Sequence, residues 1–329
     1  MRNAIIIGSG SYAPEQIVPN SFFNSILGTD VDSWLRELVQ ISERRWCQDE
    51  ESVADLIEKA CQAAMDDAGI TAGMVDLLII GTDTPEYISP ATASVIQHRM
   101  KMINAATFDV NAACAGFVTA LDIGARYIRT DEEYKHVMVV GAYTMSKHLD
   151  LTDKKTVTLF ADGAAAIVLA AEDKPGKGFL AGKLQADGQY CEAMGIYGGG
   201  SKYPVTHDLI DAKKHKLQFV KKIPGEVNPD VWTKLVHDIC HKANIAVTDI
   251  DHYFFTQINI NSIFETMDRL GQPREKAATI MHHFGYTGSA CLPMAFDQWK
   301  KKGKLRPGDT VLFVGSGGGL AFGVCLFKL

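Results

Sequence analysis

The chain has 329 residues, 47% of them apolar and 22% charged, with a formal net charge of −6. That is enough to build a large packed core and too much for one small sheet domain. The negative balance gives no reason to expect nucleic acid or an anionic membrane as the main partner, and no apolar run approaches the roughly 18 residues of a membrane span.

Taken in chain order, apolar runs of strand length alternate with helical patterns. "AIIIGSG" reads as a buried first strand, because a signal peptide needs a longer apolar region and a cleavage site. The glycines in "GSGSYA" faintly suggest a dinucleotide loop, but the third glycine and a placed acidic residue are missing, so no nicotinamide cofactor is expected. "SVADLIEKACQAAMDDAGI" has helical spacing and stops at a glycine. "DLLIIGTDT", "ATFDVNA", "HVMVVGA" and "AAIVLAA" read as further strands, "VNPDVWTKLVHDICHKANI" as a helix and "HYFFTQIN" as a strand. The seven cysteines are scattered without a CxxC pair, as expected of reduced thiols in a cytoplasmic protein.

The two halves echo each other. "AGITAGMVD" from Ala68 returns as "ANIAVTDID" from Ala243 (243 − 68 = 175), and "HVMVVGA" from His136 returns as "TVLFVGS" from Thr310 (310 − 136 = 174). Ala120-Leu121-Asp122 likewise matches Ala295-Phe296-Asp297. Three matches in order argue for a duplication. The expected organisation is α/β, with one half over 1–174 and the other over 175–329, joined in the Pro- and Gly-rich "AAEDKPGKGF". In this register Cys114 corresponds to Ser289, each at the mouth of a helix. Ligands bind beyond the carboxyl ends of strands in such sheets.

Cys114, in "FDVNAACAGF", therefore has two readings. A free cysteine is often a small buried hydrophobe. A cysteine at a helix start among small residues can also be a nucleophile, with a thiol pKa lowered by the helix dipole. The residues by themselves leave both readings open.

With these stretches in view, the chain resembles the thiolase-fold condensing enzymes, most closely the ketoacyl-acyl-carrier-protein synthase III family. The likeness runs through "SERRW", "TDTPEYISPATA", "FDVNAACAGF", "TLFADGAAAIVL", "FGYTGSACLPMA" and "VGSGGGLAFG". It implies two duplicated α/β halves in a layered αβαβα core, with Cys114 as acyl acceptor. It also implies an oxyanion hole from the N–H of Cys114 and one from the Gly317–Gly319 loop, at Gly318. The glycines of that loop would equally serve a tight turn.

The same resemblance exposes departures. The family's catalytic histidine is matched by Thr256 and its asparagine by Tyr286. Both hydroxyls can donate a hydrogen bond, and neither is a good base near neutral pH. His282 and His283, adjacent and read as part of a strand, could supply a displaced base from one face; as a metal pair they are weaker, and no metal is expected. Among coenzyme A contacts, Trp34 is retained, Leu38 and Asn261 stand where arginines are expected, and Lys154 or Lys155 replaces another arginine. Asn259 completes the expected substrate-binding set. Lys213, Lys214, Lys216, Lys221 and Lys222 form a basic cluster that could meet an acidic carrier or simply be a solvated face. Ser89 is small where relatives often carry a larger side chain.

The expected function is therefore acyl transfer. Cys114 is loaded from a coenzyme A or carrier-protein thioester and passes the acyl group to a carbon, oxygen or nitrogen nucleophile, in a homodimer, within fatty acid or secondary metabolite synthesis. The alternatives are a decarboxylative 3-oxoacyl synthase with a modified site and a non-catalytic partner subunit of a heterodimeric ketosynthase.

Overall fold

The computed structural model describes residues 2–174 and 176–329. The expected boundary between halves adjoins Pro175, which lies outside the described residues. Five strands form one sheet: β1 (Asn3–Tyr12), β2 (Leu77–Gly81), β3 (Ala106–Val110), β4 (His136–Thr144) and β5 (Asp162–Glu172). Their order is β1-β5-β4-β2-β3, with β2 parallel to both neighbours and β5 antiparallel to both of its own. A second sheet, in the order β7-β8-β9-β6, is built from β6 (Gly178–Ala186), β7 (His252–Phe255), β8 (Thr310–Gly317) and β9 (Ala321–Lys328).

The inner strands β2, β4 and β8 are buried on both faces because both faces are covered. In β2, Leu77 and Ile79 point into the core between the sheets, while Leu78 and Ile80 join the outer cluster. The same two-residue alternation puts Phe254 and Phe313 inside and Tyr253, Phe255, Leu312 and Val314 outside the second sheet. Helices α1 (Val53–Ala68) and α2 (Thr92–Arg99) cover the outer face of the first sheet, and α4 (Val227–Ala243) and α5 (Ile260–Arg269) that of the second. Between the sheets lie α3 (Gly116–Thr130) and α6 (Cys291–Lys301), both buried along most of their length. Layers therefore run helix, sheet, helix, sheet, helix: the αβαβα arrangement.

Local chemistry explains the element ends. Helix α1 starts at a capping box, with the Ser52 N–H donating to the Asp55 carboxylate at 2.8 Å, and ends at Gly69 in the left-handed region (φ +68°). The glycines of "GSGSYA" have a packing role. A Cβ on Gly10 would lie 2.3 Å from the Ala64 nitrogen of α1, so α1 rests directly on the strand. That accounts for the motif without a phosphate.

Candidate active site

Strand β3 ends at Val110, and the chain reaches α3 through five residues that contain Cys114. The turn is tight: Ala113 takes φ +47° and its N–H donates to Asn111 Oδ1 at 3.1 Å. The Ala115 and Gly116 N–H groups donate to the carbonyls of Ala112 (3.1 Å) and Ala113 (2.8 Å). A left-handed alanine costs energy, and such strain concentrates at functional turns. Cys114 is only 2% exposed, yet it lines a cavity of about 530 Å³.

The opposite wall is the turn after β8. A Cβ on Gly317 would lie 2.4 Å from the Ala112 carbonyl oxygen and 2.8 Å from the Cys114 nitrogen, so only glycine lets this turn meet the cysteine loop. Beneath, Ser289 donates its hydroxyl between the carbonyls of Gly81 and Ala142, both at 2.8 Å. It thereby ties the mouth of α6 to the ends of β2 and β4. Cys291, the first residue of α6, is near enough to raise the Cys114 pKa. The two inner helices thus begin side by side.

Electrostatics overturn one expectation. The start of α3 does not leave Cys114 acidic: its pKa is pushed well above the ordinary thiol value, first by burial, then by the negative charge of Asp83. The Tyr286 hydroxyl and the cysteine's own N–H act the other way and are outweighed. The dipole of a helix terminus is worth less than complete desolvation of a thiolate. Tyr286 is itself fixed: its N–H donates to Leu159 O and its carbonyl accepts from Ala161, both at 2.9 Å, and its ring packs 5.4 Å from Phe160 and 6.4 Å from Tyr143.

The cavity gathers Trp34, Cys114, Thr256, Asn259, Tyr286 and Gly318. Trp34 is 36% exposed, and the Lys154 ammonium stands 5.8 Å from its ring centre, outside the cavity lining. Asn259 is the N-cap of α5, its Oδ1 accepting the Asn261 N–H at 3.0 Å. Thr256 Oγ1 donates to the Ser316 carbonyl (3.2 Å) and accepts the Ser316 N–H (2.9 Å), which removes it as a free donor. Leu38 lines the cavity too, so an apolar side chain stands where the resemblance implied an arginine.

Other expectations are corrected. His282 and His283 sit on a single helical turn, Met281–Phe284, rather than a strand. Neither lines the cavity; the His283 side chain is 62% exposed and lies 3.7 Å from the Glu43 carboxylate. Ser89 is exposed and outside the cavity lining of this chain. The basic residues are dispersed: Lys213 pairs with Asp150 at 2.6 Å and Lys214 covers the Tyr203 ring, while Lys221 and Lys222 are exposed beside Ile223 of the cavity wall. Among the described residues, no cluster of His, Cys, Asp or Glu could hold a metal ion, and no helix is long and apolar enough to cross a membrane.

One group was missed in the sequence. Asp83, just beyond β2, has a buried Oδ1 with no hydrogen-bond partner, and burial raises its pKa to about 6. The available signal was a carboxylate at the end of an otherwise uncharged strand; within "GTDTPEY" it reads as ordinary turn chemistry.

A five-layer fold with a cysteine at the mouth of an inner helix defines a thiolase-fold acyltransferase. Profiles for 3-Oxoacyl-[acyl-carrier-protein (ACP)] synthase III and for its C-terminal part match residues 108–188 and 240–329. The chain belongs to the 3-oxoacyl-[acyl-carrier-protein] synthase III family, and it is an enzyme of the acyltransferase type. It is 35% identical to the beta-ketoacyl-[acyl-carrier-protein] synthase III of Clostridium perfringens (strain SM101), over all of both chains. Among solved structures it resembles the 3-oxoacyl-[acyl-carrier-protein] synthase III of Aquifex aeolicus VF5 (TM-score 0.88, 28% identity, 99% of this chain and 100% of that one). It also resembles the priming beta-ketosynthase of the R1128 polyketide pathway (TM-score 0.87, 26% identity, 99% and 96%).

Proposed function

We propose that Cys114 accepts an acyl group from a coenzyme A or carrier-protein thioester and passes it to a carbon, oxygen or nitrogen nucleophile. The observation that carries this reading is the meeting of Cys114 with the Gly317–Gly318 turn at the cavity. The sulfur attacks the thioester carbon, and the N–H groups of Cys114 and Gly318 receive the oxyanion. Trp34, with Lys154 beside it and Asn259 across the cavity, holds the donor near the mouth. The exposed Lys221 and Lys222 support an acidic carrier as donor.

We read the molecule as two duplicated halves, 1–174 and 175–329. β1, β2 and β4 begin at 3, 77 and 136, and β6, β7 and β8 at 178, 252 and 310, consistent with the offsets in the sequence. β3 is the outer strand of its sheet, and pairing it with a second copy about a twofold axis would cover its edge.

Malonyl decarboxylation fits this site less well. An enolate needs strong donors, and Thr256 is already committed to Ser316. Intact-protein mass spectrometry tests the assignment. Acyl-coenzyme A or an acyl-carrier thioester should add one acyl mass, and Cys114→Ala should abolish it. Later addition of malonyl thioester with release of CO₂ would establish condensation instead. Failure of every donor to load, with a stable complex to a second ketosynthase, would establish the partner-subunit reading. Light scattering of the purified protein tests the dimer.

A further inference from the structure

Acylating a thiol releases a proton, and no conventional base lines the cavity to receive it. Thr256 is locked and the two histidines stand elsewhere. Asp83 does not line the cavity either, but its charge acts on Cys114 from beside the cysteine loop. Its neighbours are pinned to the ends of two adjoining strands: the Thr82 N–H donates to Val110 O at 3.1 Å, where β3 runs into the Cys114 loop. Thr84 Oγ1 accepts the Thr144 N–H at 2.9 Å, next to Tyr143. One residue before Thr82, Gly81 lies against Gly116 so closely that a Cβ there would come within 2.4 Å of it. Asp83 is thus held between the cysteine loop and Tyr143, and its charge raises the pKa of both. Behind them stand Tyr286 and Cys291, which act on Cys114, and Asp162, which acts on Tyr143. The other carboxylate of the loop, Glu86, is engaged elsewhere, accepting the Ala54 N–H at 3.1 Å. A buried carboxylate oxygen without a partner is costly unless something uses it.

We infer that Asp83 is the proton acceptor of this site, taking the Cys114 proton during acyl loading and returning it to the departing thiol. This rests on the acyl-loading reading above. The Cys114 S–H bond breaks as sulfur bonds to the thioester carbon, and the proton passes to the Asp83 carboxylate through one hydroxyl or water. When the tetrahedral intermediate collapses, the bond from carbon to the donor sulfur breaks and that sulfur takes the proton, leaving Asp83 ionised. In the tetrahedral intermediate Asp83 carries the proton and the oxyanion the negative charge; after collapse Asp83 is ionised again and the donor leaves as a neutral thiol. A carboxylate that ionises near pH 6 is suited to this task at neutral pH.

The test is Asp83→Asn in the full-length protein, with two readouts. Acyl loading from acetyl- and hexanoyl-coenzyme A, followed by intact mass against pH, should slow on the order of a hundredfold. It should also lack the rising limb across pH 6 that is expected of the parent protein. Alkylation of Cys114 by iodoacetamide should move the opposite way, its midpoint falling to lower pH because a nearby negative charge is gone. A merely structural aspartate would not separate the two readouts. Unchanged loading and pH profile in Asp83→Asn would overturn the inference, as would an unchanged alkylation midpoint. If the parent protein loads from no thioester, the acyl-loading reading fails and takes the base role with it, while the alkylation shift still reports whether Asp83 acts on Cys114. Should Asp83→Asn not fold, Asp83→Ser serves with the same expected outcomes.

Discussion

Thr256 and Ser316 exchange two hydrogen bonds through one hydroxyl: Thr256 Oγ1 accepts the Ser316 N–H at 2.9 Å and donates to the Ser316 carbonyl at 3.2 Å. This side chain extends the pairing of β7 and β8 past Phe255 and holds the strand that carries Gly317 against Cys114. Thr256→Val would leave a buried N–H and carbonyl without partners, at a cost of about 1–3 kcal/mol. Denaturant unfolding should show that loss, with slower loading of Cys114 from displacement of the turn; wild-type stability would show that Thr256 does not hold this turn.

Gly317→Ala should be worse for activity than for stability. The new methyl group would lie 2.8 Å from the Cys114 nitrogen, so the turn must retreat and its N–H leaves the oxyanion position. Loss of one such donor typically costs a hundredfold to a thousandfold in rate. Single-turnover loading kinetics measure it, and a loss below tenfold would remove this turn from the oxyanion hole.

Tyr286→Phe keeps the ring against Phe160 and removes the hydroxyl that lowers the Cys114 pKa. Without it the thiol becomes still less acidic, so the iodoacetamide midpoint should move to higher pH. A move to lower pH would contradict the role given to this hydroxyl. The opposite shift expected for Asp83→Asn makes the two variants a matched pair.

Asp83 also predicts how stability depends on pH. Burial raises its folded-state pKa from 3.8 to about 6, so the folded protein binds this proton more tightly than the unfolded chain. Its contribution is fully present below pH 3.8 and is lost as pH rises through 6. At pH 8 the ionised carboxylate therefore costs the fold at most about 3 kcal/mol. Asp83→Asn should melt higher than the parent protein at pH 8, with the gap closing toward pH 4. A lower melting temperature at pH 8 would show that the carboxylate is stabilised by a partner.

The layered fold was legible from residue order. "LLIIG" and "VMVVG" are apolar at every position because both faces of these strands are covered, and "AGI" ends α1 because Gly69 adopts a backbone that other residues resist. Cys114 was legible too, since its small neighbours and the helix that follows are local features. What only the tertiary structure decided is the chemistry around it. Whether the Thr256 hydroxyl is free depends on Ser316, sixty residues along the chain. Whether the histidines face the cavity depends on a single helical turn in place of a strand. Whether the Cys114 thiol is acidic depends on its depth and on Asp83, which the fold brings close from another strand end. Backbone preferences act over a few neighbours and are written in adjacent residues. Hydrogen-bond commitments and desolvation are set by groups distant in the chain, and they exist only once it has folded.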